Sequence, residues 1–168
     1  MIRKIYHLLK SFVSVVLTLI VVSAVFDFIR KPTAPINATT TKLTDLQNQS
    51  FFLAQLSQTQ PTILYFWGSW CGYCQYTSPI IHSLAKEGYP VVSVALSSGD
   101  NETVQRYLTK HNYHFTTIND PQGTLSQQWQ VSVTPTIIIL DKDDMEFATT
   151  GLTTYWGMKV RLLLAKFF

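Results

Sequence analysis

The chain has 168 residues, 46% of them hydrophobic, which is room for one domain of ordinary size with a packed core once an N-terminal segment is set aside. Its formal charge of +3 is lopsided: Arg3, Lys4, Lys10, Arg30 and Lys31 against Asp27 leave +4 before Pro32, and eight Lys/Arg against nine Asp/Glu leave −1 after it. A folded part with no basic excess removes the main support for a nucleic-acid partner.

Residues 11–26 carry no charge and are dense in Val, Leu, Ile and Phe, with Lys10 and Asp27 at the edges. Sixteen residues of helix span about 24 Å, which reaches across a hydrocarbon core of about 30 Å only when the flanking turns are added and Lys10 extends outward. The reading is an uncleaved anchor, residues 1–31, crossing a membrane through residues 11–29. A cleaved signal peptide is the alternative, with Val22-Ser23-Ala24 as its small-residue site. Arg3, Lys4, His7 and Lys10 outweigh Arg30 and Lys31, which keeps the N-terminus inside and places the rest outside, where cysteines can live as a disulfide. Residues 32–41, with Pro32, Pro35 and small polar side chains, read as an extended linker to a domain over 42–168.

Within that domain, 41–56 predicts an edge strand or hairpin with Phe51 and Leu53 turned inward. A buried strand follows at 63–66, then a helix to Lys86 that opens at the cysteines, and a second apolar strand at 90–96. Asn101 can cap a helix to His111; a strand at 115–119, a short helix at 124–130 and a buried strand at 136–140 come next. The charged stretch 141–144 reads as a hairpin turn into a strand at 146–150. Thr153 or Thr154 then caps a last helix whose Trp156, Val160, Leu163 and Phe167 share one face, with Trp129 and Trp156 read as core and Phe167 as end-of-helix packing. Strands alternating with helices, ending in a hairpin and helix, give an α/β fold: a central, mainly parallel sheet with one antiparallel end, covered on both faces. In such sheets the reactive groups gather at the carboxyl ends of strands.

One such end carries Trp67-Gly68-Ser69-Trp70-Cys71-Gly72-Tyr73-Cys74, which holds both cysteines of the chain. A thiol at a helix N-terminus faces unpaired backbone N–H groups and the positive end of the dipole, both favouring thiolate. Cys71 is therefore the expected nucleophile. Cys74, one turn on, is placed to attack a mixed disulfide formed on Cys71. A closed zinc site needs about four ligands and has no second cysteine pair to draw on, and a bare structural disulfide over so short a loop stabilises little. A two-sulfur Cu(I) site needs fewer ligands and stays open as the rival.

The motif after a buried strand, with Val133-Thr134-Pro135-Thr136 before another, resembles the thioredoxin superfamily, and within it the membrane-anchored TlpA-like and ScsD-like protein disulfide oxidoreductases. The resemblance implies a thioredoxin-like fold, with Cys71 attacking, Cys74 resolving and Pro135 in cis beside them. It also implies a substrate groove at Trp70, Tyr73, Thr134 and Pro135, in which a backbone left free next to the proline pairs with a peptide. No cofactor or metal is implied. The implied partners are protein thiols and disulfides and a membrane redox protein that resets the pair. The implied location is the bacterial inner membrane, N-terminus cytoplasmic and domain periplasmic. Two positions depart from the family: Tyr65 stands where thioredoxins carry a buried aspartate, and Thr77 where many TlpA-like reductases carry a glutamate. Missing acids leave Cys74 without an obvious base, which favours an oxidising or isomerising role over reduction for cytochrome c maturation. Gly72-Tyr73 and Thr134 resemble periplasmic disulfide isomerases in the same sense. His82, His111 and His114 read as surface or helix-end residues.

Overall fold

The computed structural model describes residues 10–15, 18, 32–142 and 144–167. Most of the expected span at 11–29 lies outside the described residues, and among those described no helix is long and apolar enough to cross a membrane.

A hairpin of β1 (Lys42–Thr44) and β2 (Ser50–Phe52) leads into α1 (Leu53–Ser57), so the fully buried Leu53 starts a helix where the sequence suggests strand. The chain continues through β3 (Thr62–Trp67), α2 (Cys74–Lys86), β4 (Val91–Leu96), α3 (Asn101–His111), β5 (Thr116–Asp120), α4 (Thr124–Gln128), β6 (Thr136–Asp141), β7 (Asp144–Thr150) and α5 (Tyr155–Ala165). Five strands form one sheet in the order β5-β4-β3-β6-β7. β3, β4 and β5 run parallel, and β6 is antiparallel to both its neighbours.

All six residues of β3 are buried, because this central strand has a helix layer on each side. The strand's period of two then sorts its side chains. Ile63, Tyr65 and Trp67 join one core with Ile81 and Leu84 of α2, Val104 and Leu108 of α3, and Met158 and Leu162 of α5. Leu64 and Phe66 join a second core with Val92, Val94, Ile138, Leu53 and Trp129.

Helix ends follow local chemistry. Asp100, one residue before the expected Asn101, caps α3 by accepting from Thr103 N–H at 2.8 Å, and Thr154 caps α5 by accepting from Gly157 N–H at 3.0 Å.

Two expectations change. Residues 32–41 lie against the domain: Pro32, Ala38 and Thr39 are buried, Thr33 N–H donates to Trp129 C=O at 3.2 Å, and Ala54 N–H donates to Thr39 C=O at 2.9 Å. Apolar contact and backbone pairing hold a stretch whose composition suggests a free tether. On α5, Met158, Leu162 and Ala165 face the core, whereas Trp156 is 74%, Val160 55%, Leu163 56% and Phe167 77% exposed. The helix is apolar on both sides, and the side with the smaller residues fits against the sheet.

Candidate functional site

β3 ends at Trp67, and the chain turns twice before α2 begins. Cys71 N–H donates to Gly68 C=O at 3.0 Å and Cys74 N–H to Cys71 C=O at 3.1 Å, so the first cysteine sits just ahead of the helix and the second is its first residue. The two are joined as a disulfide, their Cα atoms 5.3 Å apart. Cys74 is fully buried and Cys71 is 5% exposed, so any partner must reach Cys71. The Cys74 N–H also points at Cys71 Sγ at 3.2 Å. A backbone donor at a helix start favours negative charge on that sulfur once the bond is reduced.

The loop is pinned from across the sheet. Trp70 Nε1–H donates to Leu96 C=O at 3.1 Å, Ser69 N–H donates to Ser98 Oγ at 2.9 Å, and Ser98 Oγ–H donates to Leu96 C=O at 3.0 Å. Gly68 makes room for this arrangement, because a Cβ on it would lie 2.6 Å from Trp70 Cε2 and push the indole aside. The indole thus lies over the Gly68 backbone with 61% of its residue exposed, a fixed apolar wall beside Cys71. Ser98 and Leu96 carry no motif, so sequence reasoning has no means of finding these anchors.

Thr134-Pro135 is a cis peptide. Because Thr136 pairs with Phe66 in the β3–β6 register, this dipeptide comes to the end of β3 from which the cysteine loop departs. Pro135 is buried and its C=O accepts from Gly151 N–H at 2.8 Å, while Thr134 is half-buried and makes no hydrogen bond to a described residue. Tyr73 and Tyr76, at 63% and 72% exposure, stand on either side of Cys74. Tyr76 lies outside the motif and sequence reasoning misses it, although its spacing of three from Tyr73 on a helix is a usable signal.

Beneath the cysteines the two departures find different partners. Tyr65 OH and Ser78 Oγ share a hydrogen bond of 2.9 Å in the core, and burial pushes the phenol's pKa above its ordinary range despite that bond. Thr77 Oγ1–H donates to Tyr73 C=O at 3.3 Å. The buried carboxylates among the described residues are Asp120 and Asp141. Asp120 accepts from Leu125 N–H, Ser126 N–H and Ser126 Oγ–H, capping α4.

Trp67 Nε1–H donates to Ser93 Oγ at 3.1 Å, and Ser93 Oγ pairs with Thr117 Oγ1 at 2.9 Å, a polar chain running across β3, β4 and β5. His82, half-buried on its helix, packs its ring against Tyr113 and His114, with Nδ1 buried and unpaired. Burial foremost, with Lys86 and His114 adding to it, lowers the pKa of His82. Among the described residues no group of three or more His, Cys, Asp or Glu converges on one point.

Residues 59–146 match the thioredoxin-like family model. A thioredoxin-like protein of Haemophilus influenzae is 56% identical over 165 residues, covering 98% of this chain and 99% of that protein. The thiol:disulfide interchange protein DsbE of Pseudomonas aeruginosa is 29% identical over 84 residues, 49% of this chain and 46% of its own length. The crystal structure of a secreted Mycobacterium tuberculosis disulfide oxidoreductase superposes with a TM-score of 0.62 at 23% identity, over 74% of this chain and 95% of that one, a likeness of fold.

Proposed function

The chain belongs to the thioredoxin-like family of thiol-disulfide oxidoreductases, and from that premise we propose that Cys71 and Cys74 exchange disulfides with exported protein substrates at the outer face of a bacterial inner membrane. The observation that carries this reading is the asymmetry of the pair: Cys71 is the more accessible sulfur and receives the Cys74 N–H, while Cys74 is sealed beneath it.

In the reducing direction, the Cys71 thiolate attacks a substrate disulfide, forms a mixed disulfide and releases one substrate thiolate. Cys74 then gives up its proton, to the released thiolate or to water, and attacks Cys71 Sγ. The second substrate thiol leaves, and two electrons have passed to the substrate. The oxidising direction runs the same bonds in reverse. Trp70 and Tyr73 flank the reacting sulfur, and the backbone of Thr134, unpaired among the described residues, offers an extended peptide a place to pair next to Pro135. With hydroxyls at positions 65, 77 and 78 and, among the described residues, no carboxylate bonded to them, the buried thiol has no resident base, which supports net oxidation or isomerisation over cytochrome-maturation reduction. The uncharged segment at 11–26 supports a single-pass anchor through 11–29, N-terminus cytoplasmic, with a membrane redox protein resetting the pair.

The test is exchange with a small disulfide, together with the alkylation rate of Cys71 against pH and the potential of the pair. The Cys71 pKa is expected below the free-cysteine value of about 8.5 and the potential above thioredoxin's roughly −270 mV. Cys71→Ser is expected to remove exchange, and Cys74→Ser to accumulate the mixed disulfide. Stoichiometric Cu(I) uptake by a protein that exchanges no disulfides would replace this reading with a copper-binding one.

A further inference from the structure

The disulfide mouth lies at one end of an apolar track that the exchange chemistry does not use. Gly151 is bonded to the Pro135 carbonyl, so Leu152, 58% exposed, stands beside the proline. Leu152 lies in the loop ahead of α5, and down the outward side of the helix the exposed side chains follow at intervals of four, three and four: Trp156, Val160, Leu163 and, just past its end, Phe167. Such spacing makes one stripe, pointing away from the core-facing Met158, Leu162 and Ala165. Its borders are basic. Lys159 is neutralised by Glu87 at 2.7 Å; Arg161, half-buried, donates to Gly157 C=O at 3.1 Å and Lys166 Nζ lies 6.0 Å over the Tyr89 ring, neither with an acidic partner among the described residues, and residues 147–168 hold no Asp or Glu.

We infer that this track is the docking surface for a protein partner that presents an apolar segment with acidic flanks next to its reactive cysteines. The inference rests on the exchange reading above and names the kind of partner it serves. Continuity with the disulfide mouth argues for a redox partner, because a segment seated on α5 delivers its neighbouring cysteine past Leu152 to Cys71. A second copy of the chain is disfavoured, since pairing two such helices brings Arg161 and Lys166 against their own kind. A bilayer is disfavoured, since the chain joins the domain at Thr33 against Trp129, in the core on the opposite side of the sheet from α5.

The test uses the reduced full-length chain in detergent and two synthetic peptides, each with one internal disulfide. One continues into a leucine-rich amphipathic segment flanked by glutamates, and the other has serine in place of those leucines. The leucine peptide should be reduced at least about tenfold faster, the order expected when a few well-placed apolar anchors are lost. Trp156→Gln with Phe167→Gln, and separately Val160→Asp, should remove that preference while glutathione disulfide is reduced at an unchanged rate. Equal rates for the two peptides, or a preference that survives both variants, overturns the inference. So does quenching of Trp156 fluorescence by brominated lipid in vesicles holding the full-length chain, which assigns the track to a bilayer, or a dimer in sedimentation that either variant dissociates, which assigns it to a second copy. Failure of the wild-type chain to reduce glutathione disulfide would instead sink the exchange reading itself.

Discussion

The two cores on either side of the sheet are built from alternate residues of the same strands, yet they differ in kind. The side under α2 buries Tyr65 with Ser78 and Trp67 with Ser93 and Thr117, hydroxyls interleaved with apolar packing below the disulfide. The other side, with Leu64, Phe66, Val94, Ile138 and Trp129, is an apolar cluster. One strand therefore serves two purposes: its odd-numbered residues support the redox loop through directional bonds, and its even-numbered residues hold the sheet by burial. A hydroxyl network stays put only if every member is satisfied, whereas apolar packing tolerates small shifts.

The contrast can be broken by substitution. The largest stability loss is expected from Phe66→Ala, about 3–5 kcal/mol in urea unfolding, for a fully buried ring packed on Trp129 at 6.2 Å; exchange by the folded fraction should be unchanged. Ser93→Ala should cost less, about 1–3 kcal/mol, because it strands Trp67 Nε1–H and takes a partner from Thr117. If Ser93→Ala leaves exchange and its pH profile untouched, the polar core is structural only and the division between the cores is weaker than drawn.

The smallest effect concerns pH. His82 has a folded pKa below its ordinary value, so between that lowered value and about 6.5 the unfolded chain binds a proton that the folded chain refuses. Stability should hold above about pH 6.5 and decline as pH falls through that window. In His82→Gln the decline should flatten, read as Tm against pH; an equal decline in the variant would assign it to other groups.

Much of the site is legible in the sequence because its signals are local. A strand of uncharged apolar residues, two cysteines three apart and a Thr-Pro before a second buried strand each carry their meaning within a few positions. Ser93 shows why other parts stay hidden: its partners Trp67 and Thr117 lie 26 and 24 residues away, and only the register of three strands brings them together. The Leu96 carbonyl, which Trp70 and Ser98 both bond, is a backbone acceptor and leaves no trace in side-chain identity. On α5, periodicity reveals that a stripe exists but not which way it turns. Trp156, Val160, Leu163 and Phe167 make the bulkier side, with Trp156 read as core and Phe167 as end-of-helix packing, yet Met158, Leu162 and Ala165 are what the sheet accepts. Composition likewise misjudges residues 32–41, since prolines and threonines describe a flexible stretch until a docking surface for them is known.

That docked stretch sets how the redox head can move. With Pro32 already buried, the proposed span ending at residue 29 would leave hardly any slack between bilayer and domain. A head on a loose leash would sweep a hemisphere and meet cysteines at many heights, whereas a head held by the proposed anchor would be confined to a thin shell close to the lipid. Clients would then be sorted by altitude as well as by chemistry, with chains still emerging from the membrane met first.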